Sequence, residues 1–224
     1  MTTDPERVTL DEAYALATPD DSRALYARWA PTYEDDFVAG NGYVIPTRVA
    51  EVFADVAGEL AASGEPVLDV GCGTGLLAAA LVANAPGGWV VDGVDISAQM
   101  ISVAAGKARD DGSPVYRRLI EADLTGAVPI VPGTYAGMAS SGTFTHGHLG
   151  PDTLATLVPL GRPGAIFAIG INAEHYRAKG FDAALARLLA GGAITDLTPR
   201  IVQMYLPGSV HEGETAVVAV FRRV

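Results

Sequence analysis

The feature that most constrains the fold of this chain is an apolar run that ends abruptly in glycines. Residues 67–75 read VLDVGCGTG, and a helical pattern follows them directly. Glycine lets the backbone adopt positive φ and leaves the space that a Cβ would occupy open to a ligand. The helix that follows presents free N–H groups at its start. A strand, a glycine loop and a helix in this order predict a ligand site at the edge of an open α/β sheet.

Short apolar runs alternate with amphipathic stretches downstream of this loop. Strands separated by helices predict a parallel sheet covered by helices on both faces. The predicted strands are Pro66–Val70, Trp89–Val94, Val115–Glu121, Tyr135–Ser140 and Ala165–Ile171. Two further strand-like runs, Arg200–Leu206 and Thr215–Arg222, have only a polar turn between them. They predict an antiparallel hairpin at the end of an otherwise parallel sheet.

The chain before the glycine loop reads as helical. Asp21 and Ser22 are candidates to cap a short helix that carries Tyr26 and Trp29. We expect one domain of 224 residues, in which a helical N-terminal cap (1–62) precedes an α/β core (63–224). The cap and the segment Asn172–Asp196 are expected to wall a substrate pocket.

The charge of the chain bears on its partners. The formal net charge is −11, and the 15 Lys and Arg residues are scattered rather than gathered in the basic stripe that phosphate backbones require. We therefore expect a small-molecule substrate, no nucleic acid, no membrane partner, and a monomer or homodimer. The chain opens without a basic region and an apolar run, and no apolar stretch reaches the ~20 residues of a membrane span. These features predict a cytoplasmic protein.

The residues of the loop leave two classes of cofactor open. Gly73–Ala78 fits the dinucleotide fingerprint G-x-G-x-x-G/A, which would indicate a nicotinamide-dependent oxidoreductase. Asp69, however, lies near the end of the strand, where a carboxylate would repel a pyrophosphate. It suits a ligand with a cationic end instead.

Three segments resemble motifs of class I S-adenosylmethionine-dependent methyltransferases. VLDVGCGTG resembles the first motif, in which the acidic residue and the glycines hold the amino acid part of the cofactor. GVDIS (93–97) resembles the second, whose acid takes both ribose hydroxyls and maps to Asp95. EADL (121–124) resembles the third, whose acid faces the adenine amino group and maps to Asp123. The resemblance implies a seven-stranded Rossmann-like sheet in the order 3-2-1-4-5-7-6, with an antiparallel last strand and helices on both faces.

Two further stretches resemble branches of this family. Tyr26–Tyr33 is similar to a segment of ubiquinone-biosynthesis-like methyltransferases that closes over the cofactor; alternatively, its aromatic side chains simply pack on the sheet. Ser140–His148 is similar to the GTFT-x-GH segment of the Williams–Beuren-region-like subgroup. The full set of predicted cofactor-binding residues is Tyr26, Tyr33, Asp69, Gly71, Cys72, Gly73, Gly75, Asp95, Ile96, Met100, Asp123, Leu124 and Ser140.

The loop after the fourth strand carries two histidines that are candidates for catalysis. His146 or His148 is predicted to act as a general base, with His146 favoured because it lies nearer the strand. Alternatively, both histidines only shape the pocket. His175 and Tyr176 form a further candidate pair facing the substrate. An HxH pair without nearby Cys or acid falls short of a zinc site, so no metal is expected.

The leading hypothesis is methyl transfer from S-adenosylmethionine to a small molecule through an O-, N- or C-nucleophile, in secondary metabolism. An enzyme that binds this cofactor for other chemistry, such as cyclisation, is the main alternative. A nicotinamide-dependent oxidoreductase and a non-catalytic binding module with structural histidines are the remaining alternatives.

Overall fold

The fold is built on one seven-stranded sheet. The computed structural model describes residues 8–85 and 88–224. The strands are β1 (Pro66–Val70), β2 (Val90–Asp95), β3 (Tyr116–Glu121), β4 (Tyr135–Phe144), β5 (Gly161–Asn172), β6 (Ile194–Gln203) and β7 (Thr215–Arg223). Their order is β3-β2-β1-β4-β5-β7-β6, with β1 to β5 parallel and β7 antiparallel to both of its neighbours. The predicted Rossmann-like fold, with its strand order and antiparallel last strand, is confirmed.

Helices lie before and between the strands. They are α1 (Leu10–Tyr14), α2 (Pro19–Trp29), α3 (Ile45–Ala57), α4 (Leu60–Ser63), α5 (Leu76–Asn84), α6 (Ala98–Ala105), α7 (Thr153–Leu157), α8 (Ala173–Ala178) and α9 (Phe181–Ala190). A π-helical turn spans Tyr33–Ala39, and a 3₁₀ turn spans Val158–Leu160. Within the described ranges, no helix has the length and apolar character needed to cross a bilayer.

Two apolar cores cover the two faces of the sheet. Helices α3, α5 and α6 contribute to the first core, where the rings of Phe53 and Trp89 lie 5.5 Å apart. Helices α7 and α9 contribute to the second core. Strand β1 serves both, because successive side chains of a strand point to opposite faces: Val67 belongs to the first core and Leu68 to the second.

The glycine loop between β1 and α5 depends on its glycines. Gly71 has φ of 67°, and a Cβ there would lie 2.0 Å from Thr143 Oγ1, so a side chain would force this contact apart. Gly75 has φ of 90° at the residue before α5. The positive φ values turn the chain sharply from the buried strand into the helix, as glycine permits at little cost.

Helix α2 begins earlier than the sequence indicated. The expected caps were Asp21 and Ser22, but Thr18 is the cap and α2 starts at Pro19. Thr18 Oγ1 accepts a bond from the Asp21 amide, and the Asp21 carboxylate accepts one from the Thr18 amide. This reciprocal capping box satisfies two N–H groups at the helix start, which is why the helix extends back to the proline.

Backbone irregularities explain two wrong strand boundaries. Strand β4 was expected to end at Ser140, but it continues through Gly142, whose φ is 74°, and Phe144 then pairs with Ile171. Strand β6 begins at Ile194 and not at the predicted Arg200. A bulge at Asp196, with φ of 55°, interrupts the apolar alternation of its first half.

The chain after β6 turns towards the N-terminal segment. Residues 204–206, predicted to be strand, lie outside β6. Tyr205 forms an isolated antiparallel bridge with Tyr43, and the Leu206 amide donates to the Gly42 carbonyl at 2.8 Å. This contact brings an aromatic residue from the end of the chain against the cap.

The segment Asn172–Asp196 does not form the expected wall of a substrate pocket. It contains α8 and α9, whose Phe181 and Leu185 pack into the second core. Only Asn172 lines either of the two cavities described below. The apolar pattern of α9 therefore reflects packing against the sheet and not contact with a substrate.

Candidate active site

A cleft lies at the carboxyl ends of β1, β2 and β4, the place where ligands bind in open α/β sheets. This first cavity measures about 1130 Å³ including its open mouth. The glycine loop forms its floor, and the start of α2 lies across it with Thr18 and Ser22 in the lining. The loops that follow β2, β3 and β4 supply the remaining walls.

Asp95 ties the end of β2 to the glycine loop. Its Oδ2 accepts a bond from the Gly73 amide at 2.8 Å, and its Oδ1 accepts one from the Ser97 amide at 2.9 Å. Burial raises the pKa of this carboxyl, while the amide donors counteract the effect. The carboxylate lies in the cavity wall, so a ligand hydroxyl can donate to it.

Asp123 lies in the opposite part of the wall, after β3. Its Oδ1 accepts bonds from the Thr125 amide and hydroxyl at 2.8 and 2.6 Å. Its Oδ2 lies 3.8 Å from an Nη of Arg23, which is on α2. This weak, partly solvated ion pair joins the cap to the core beside the cavity.

Asp69 is placed differently from the other two acids. It is 1% exposed, does not line the cavity, and its Oδ2 accepts a bond from the Tyr116 hydroxyl at 2.7 Å. Burial raises the pKa of Asp69 to about 7. The Tyr116 ring that binds this carboxyl lies beside Gly75 of the loop, and contact of Asp69 with a cofactor stays a prediction.

Most of the predicted cofactor residues meet around the first cavity. Those that line it are Tyr26, Tyr33, Gly71, Cys72, Gly73, Asp95, Ile96, Met100, Asp123 and Leu124. Gly75 and Ser140 do not. Gly75 packs beneath the loop against Tyr116, and the buried Ser140 hydroxyl donates to the Val70 carbonyl at 2.7 Å.

Several lining residues were not anticipated from the sequence. Thr74 is 2% exposed, and its hydroxyl has no hydrogen-bond partner within the described part of the chain. Ser141 and Thr143 extend the lining beyond Ser140 because β4 is longer than predicted. Thr74 lies inside the glycine motif, so the motif could have predicted it as a residue that lines the cavity.

A second cavity adjoins the first and is lined mainly by aromatic side chains. Its enclosed space is small, about 40 Å³. Its polar lining consists of Tyr14, Tyr26, Tyr33, Tyr43, Tyr205, Thr145, His148 and Asn172. Five residues, Tyr26, Tyr33, Tyr43, Gly142 and His148, line both cavities and form the junction between them.

The hydrogen bonds of His148 define the state of its ring. Its Nδ1 lies 2.6 Å from the His146 carbonyl oxygen, which can only accept, so Nδ1 carries the proton. Its Nε2 accepts a hydrogen bond from the Tyr26 hydroxyl at 2.7 Å. Burial lowers the pKa of His148, which keeps the ring neutral at pH 7.

His146 is placed away from both cavities, contrary to its favoured position in the sequence interpretation. Its Nε2 lies 3.9 Å from a Glu174 carboxylate oxygen, and its ring packs 5.1 Å from that of Tyr14. His175 is 1% exposed, and its Nε2 donates to the Leu149 carbonyl. The turn after Thr145 places His148 and not His146 in the lining of the cavities, and a catalytic role for either stays a prediction. Among the described residues, no cluster of three or more His, Cys, Asp and Glu side chains could hold a metal ion.

The fold and the cavity resemble those of a known class of enzyme domain. A Rossmann-like sheet with an antiparallel last strand carries a glycine loop and two acids after successive strands, as in class I methyltransferases. Residues 67–164 match a family described as "Methyltransferase domain". The matched segment runs from β1 to the start of β5. No curated protein matches the chain by sequence.

Solved structures with the same fold come from several enzymes. Magnesium protoporphyrin IX methyltransferase (ChlM) from Synechocystis PCC 6803, solved with bound SAH, has TM-score 0.64 and 17% identity, covering 92% of this chain and 99% of that one. The cyclase SpnF has TM-score 0.62 and 15% identity, covering 93% of this chain and 97% of that one. The CurJ carbon methyltransferase has TM-score 0.59 and 17% identity, covering 91% of this chain. This chain spans 61% of the length of the CurJ protein.

Proposed function

We propose that this protein transfers the methyl group of S-adenosylmethionine to a small molecule, through an O-, N- or C-nucleophile, in secondary metabolism. The observation that carries the proposal is the gathering of the glycine loop, Asp95 and Asp123 around one cavity. Asp95 would hold the ribose hydroxyls, and Asp123 would face the adenine amino group. S-adenosylmethionine, when bound, supplies a sulfonium-activated methyl group.

The lining of the first cavity suits this cofactor better than a dinucleotide. None of the described residues that line it is Lys or Arg, and a pyrophosphate would lie close to the carboxylates of Asp95 and Asp123. A Cβ built at Gly73 would meet nothing within 4 Å, which leaves the loop accessible to a ligand. The unpaired Thr74 hydroxyl offers a further hydrogen bond.

His148 would remove the proton from an acceptor whose nucleophile is protonated at neutral pH. The Tyr26 oxygen lies at the junction and can accept the acceptor's proton while its own proton passes to His148 Nε2. The carbonyl of His146 would then steady the imidazolium through Nδ1–H. The lowered pKa of His148 keeps its ring neutral before the reaction.

A second candidate function keeps the cofactor but changes the chemistry. The similarity of the whole fold to the cyclase SpnF favours considering cyclisation without methyl transfer. Methyl-labelled S-adenosylmethionine and a metabolite extract of the source organism separate the two functions. Label in a small-molecule product supports methyl transfer, whereas an altered metabolite without label supports cyclisation.

The partners proposed here follow from the same features. We expect a small-molecule acceptor, a cytoplasmic location, and a monomer or homodimer, with neither nucleic acid nor membrane as a partner. The net charge of −11 and the absence of Lys and Arg from the first cavity support a non-phosphate ligand.

Calorimetry with S-adenosylhomocysteine tests the cofactor assignment. Wild type should bind it, and Asp95→Ala should weaken binding about 100-fold, because two charge-assisted hydrogen bonds are lost. Asp110→Ala, which removes an exposed acid remote from both cavities, is the matched control. Absence of binding to wild type, or a nicotinamide fluorescence change on adding the protein, would contradict the proposal.

A further inference from the structure

His175 lines neither cavity, but its ring contacts the segment of residues 145–149, which we call the His148 loop. The side chain is buried, and its Nε2 lies 3.0 Å from the carbonyl oxygen of Leu149. A carbonyl oxygen can only accept, so Nε2 carries the proton of this ring. Leu149 follows His148 directly and also lines the first cavity. The buried ring therefore anchors the His148 loop one residue beyond the candidate base.

The ring of His175 is itself held by the elements around it. Asn172 Oδ1 accepts bonds from the amides of Glu174 and His175 at 2.9 and 3.1 Å, which caps the first turn of α8. The ring also packs 5.5 Å from that of Phe181 on α9. Because α8 begins at the residue after β5 ends, the donor is placed rigidly relative to the sheet. A hydrogen bond from such a base can restrain a loop.

The His148 loop meets the cap as well. Gly147 has φ of 73°, and a Cβ built there would lie 2.9 Å from the Ala13 carbonyl oxygen and 3.0 Å from that of Tyr14. The Tyr26 hydroxyl on α2 donates to His148 Nε2 at 2.7 Å. The loop thus lies between the cap and α8, and His148 reaches its phenol partner because the loop keeps this position.

The backbone bonds inside the turn are longer than the bond from His175. The His148 amide donates to the Thr145 carbonyl at 3.1 Å, and the Leu149 amide donates to the Thr143 carbonyl at 3.3 Å. Both exceed the most common N–H···O length of about 2.9 Å. The bond from His175 to the Leu149 carbonyl is therefore a substantial part of what restrains the end of the loop.

We infer that His175 is a positioning residue for His148: its Nε2–H donates to the Leu149 carbonyl and thereby keeps the His148 loop where His148 meets Tyr26. This inference rests on the proposed function, to which the role of His148 as a base belongs. His175 acts through the backbone of Leu149 and keeps its own proton.

Three substitutions separate the hydrogen-bond donor from the bulk of the ring. The amide nitrogen of Gln reaches the place of Nε2, that of Asn reaches only the place of Nδ1, and Leu fills the space without a donor. Hydrogen exchange of the His148 and Leu149 amides should be about fivefold faster in His175→Asn and His175→Leu, because opening of the loop no longer breaks the anchoring bond. In His175→Gln it should stay within about twofold of the wild type. The Gly73 amide, which donates to Asp95, should exchange alike in all four proteins.

The nitrogen resonances of His148 provide a second measurement. In His175→Asn the Nε2 resonance of His148 should shift, because the bond from the Tyr26 hydroxyl weakens, and His175→Gln should restore it. Arg177→Leu changes an exposed side chain of the same helix and is the matched control. It should alter neither the resonance nor the amide exchange.

The possible results separate this inference from the proposed function. Unchanged exchange in a folded His175→Asn variant, or no recovery in His175→Gln, would overturn the inference. A proton on Nδ1 of His175 in the wild type would overturn it without any variant. Equal acceleration at Gly73 would indicate a general loss of stability and would also contradict a positioning role. If the wild type does not bind S-adenosylhomocysteine, the proposed function is wrong, while the exchange rates still decide whether His175 anchors the loop.

Discussion

At the scale of single residues, the two nitrogens of His148 have different partners and therefore different roles. A backbone carbonyl accepts from Nδ1, and the Tyr26 hydroxyl donates to Nε2. The first contact determines the tautomer, and the second places the basic nitrogen beside a phenol at the junction of the cavities. An imidazole oriented in this way is prepared to accept a proton from a group beside Tyr26.

This arrangement predicts the NMR signature of His148. At pH 7.5 its ring should be neutral with the proton on Nδ1, and it should titrate below 6.5 because burial disfavours the charged form. Tyr26→Phe should change the Nε2 resonance by removing the donor. Long-range proton–nitrogen correlation spectra measure both properties, and His148→Gln assigns the signals.

A matched substitution outside the site controls for general effects of losing a phenol. Tyr176 lines neither cavity and stacks on Phe181, so Tyr176→Phe should leave the His148 resonances unchanged. A proton on Nε2 in the wild type would contradict the proposed role. With an O–H acceptor, His148→Gln should lower kcat by about 100-fold, the usual contribution of a general base.

At the scale of secondary-structure elements, one buried carboxylate joins β2, β3 and β4. Asp92 is 0% exposed and accepts bonds from both Arg117 and Arg118 on β3 and from the Tyr135 hydroxyl on β4. Burial opposes ionisation, but the arginine and tyrosine donors outweigh it and lower the pKa of Asp92. The edge strand of the sheet is thereby held through side chains as well as through its backbone ladder.

Asp92→Asn should lower the free energy of unfolding by about 2 kcal/mol at pH 7, since charge-assisted bonds are lost while the half-exposed arginines regain water. The folded protein stabilises the ionised form of the Asp92 carboxyl. Its contribution is complete above the ordinary carboxyl pKa near 3.8 and declines as the pH falls through the lowered folded value. Urea unfolding at pH 7 and at pH 3 should therefore show a difference between the two proteins that shrinks in acid.

The control is an ion pair on the surface. Asp55 pairs with Arg200 at 2.6 Å, but its side chain is 64% exposed. Asp55→Asn should change the free energy of unfolding by less than about 0.5 kcal/mol. A loss at Asp92 no larger than this, or one that persists fully at pH 3, would contradict the account of the network.

At the scale of the whole molecule, the cap and the core share one apolar cluster. Leu25 and Trp29 of α2 belong to the same cluster as Phe53 of α3 and Trp89 before β2. Helix α3 itself packs against α5 and the sheet, so it is part of the core layer as much as of the cap. A shared core favours cooperative unfolding of the two parts.

The two tryptophans of the chain report on the two parts separately. In Trp89→Phe the remaining Trp29 senses the cap, and in Trp29→Phe the remaining Trp89 senses the core. In each variant, urea unfolding followed by fluorescence should coincide with unfolding followed by far-UV circular dichroism. A fluorescence transition of Trp29 at lower urea than the circular dichroism transition would show that the cap unfolds independently.

Much of the fold could be predicted from the sequence because the relevant signals are local. Strand β1, the glycine loop and α5 follow one another within a few residues. The bulges at Gly142 and Asp196 were not predicted, since only pairing with a neighbouring strand makes such irregularities favourable.

The candidate site likewise has one part that local sequence predicts and one part that only contacts between distant segments create. The first cavity is assembled largely from motif residues at the ends of adjacent strands, so its acids could be placed before the structure was seen. The second cavity joins Tyr14, Tyr43 and Tyr205, which are far apart in sequence and share no motif. Only the bridge between Tyr43 and Tyr205 and the fold of the cap bring these phenols together.

The sequence by itself predicted the strands, the glycine loop and the acids at the ends of β2 and β3, because short motifs and hydrophobic periodicity encode them locally. The strand order and the cofactor class were expected from the resemblance of these motifs to a known family. The tertiary structure decided that His148 and not His146 lines the cavities, that Asp69 is buried against Tyr116, and that none of the described residues lining the second cavity is Asp, Glu, Lys or Arg. The physical reason is that burial and hydrogen-bond partners, which set each ionisation state, arise only from contacts between distant segments.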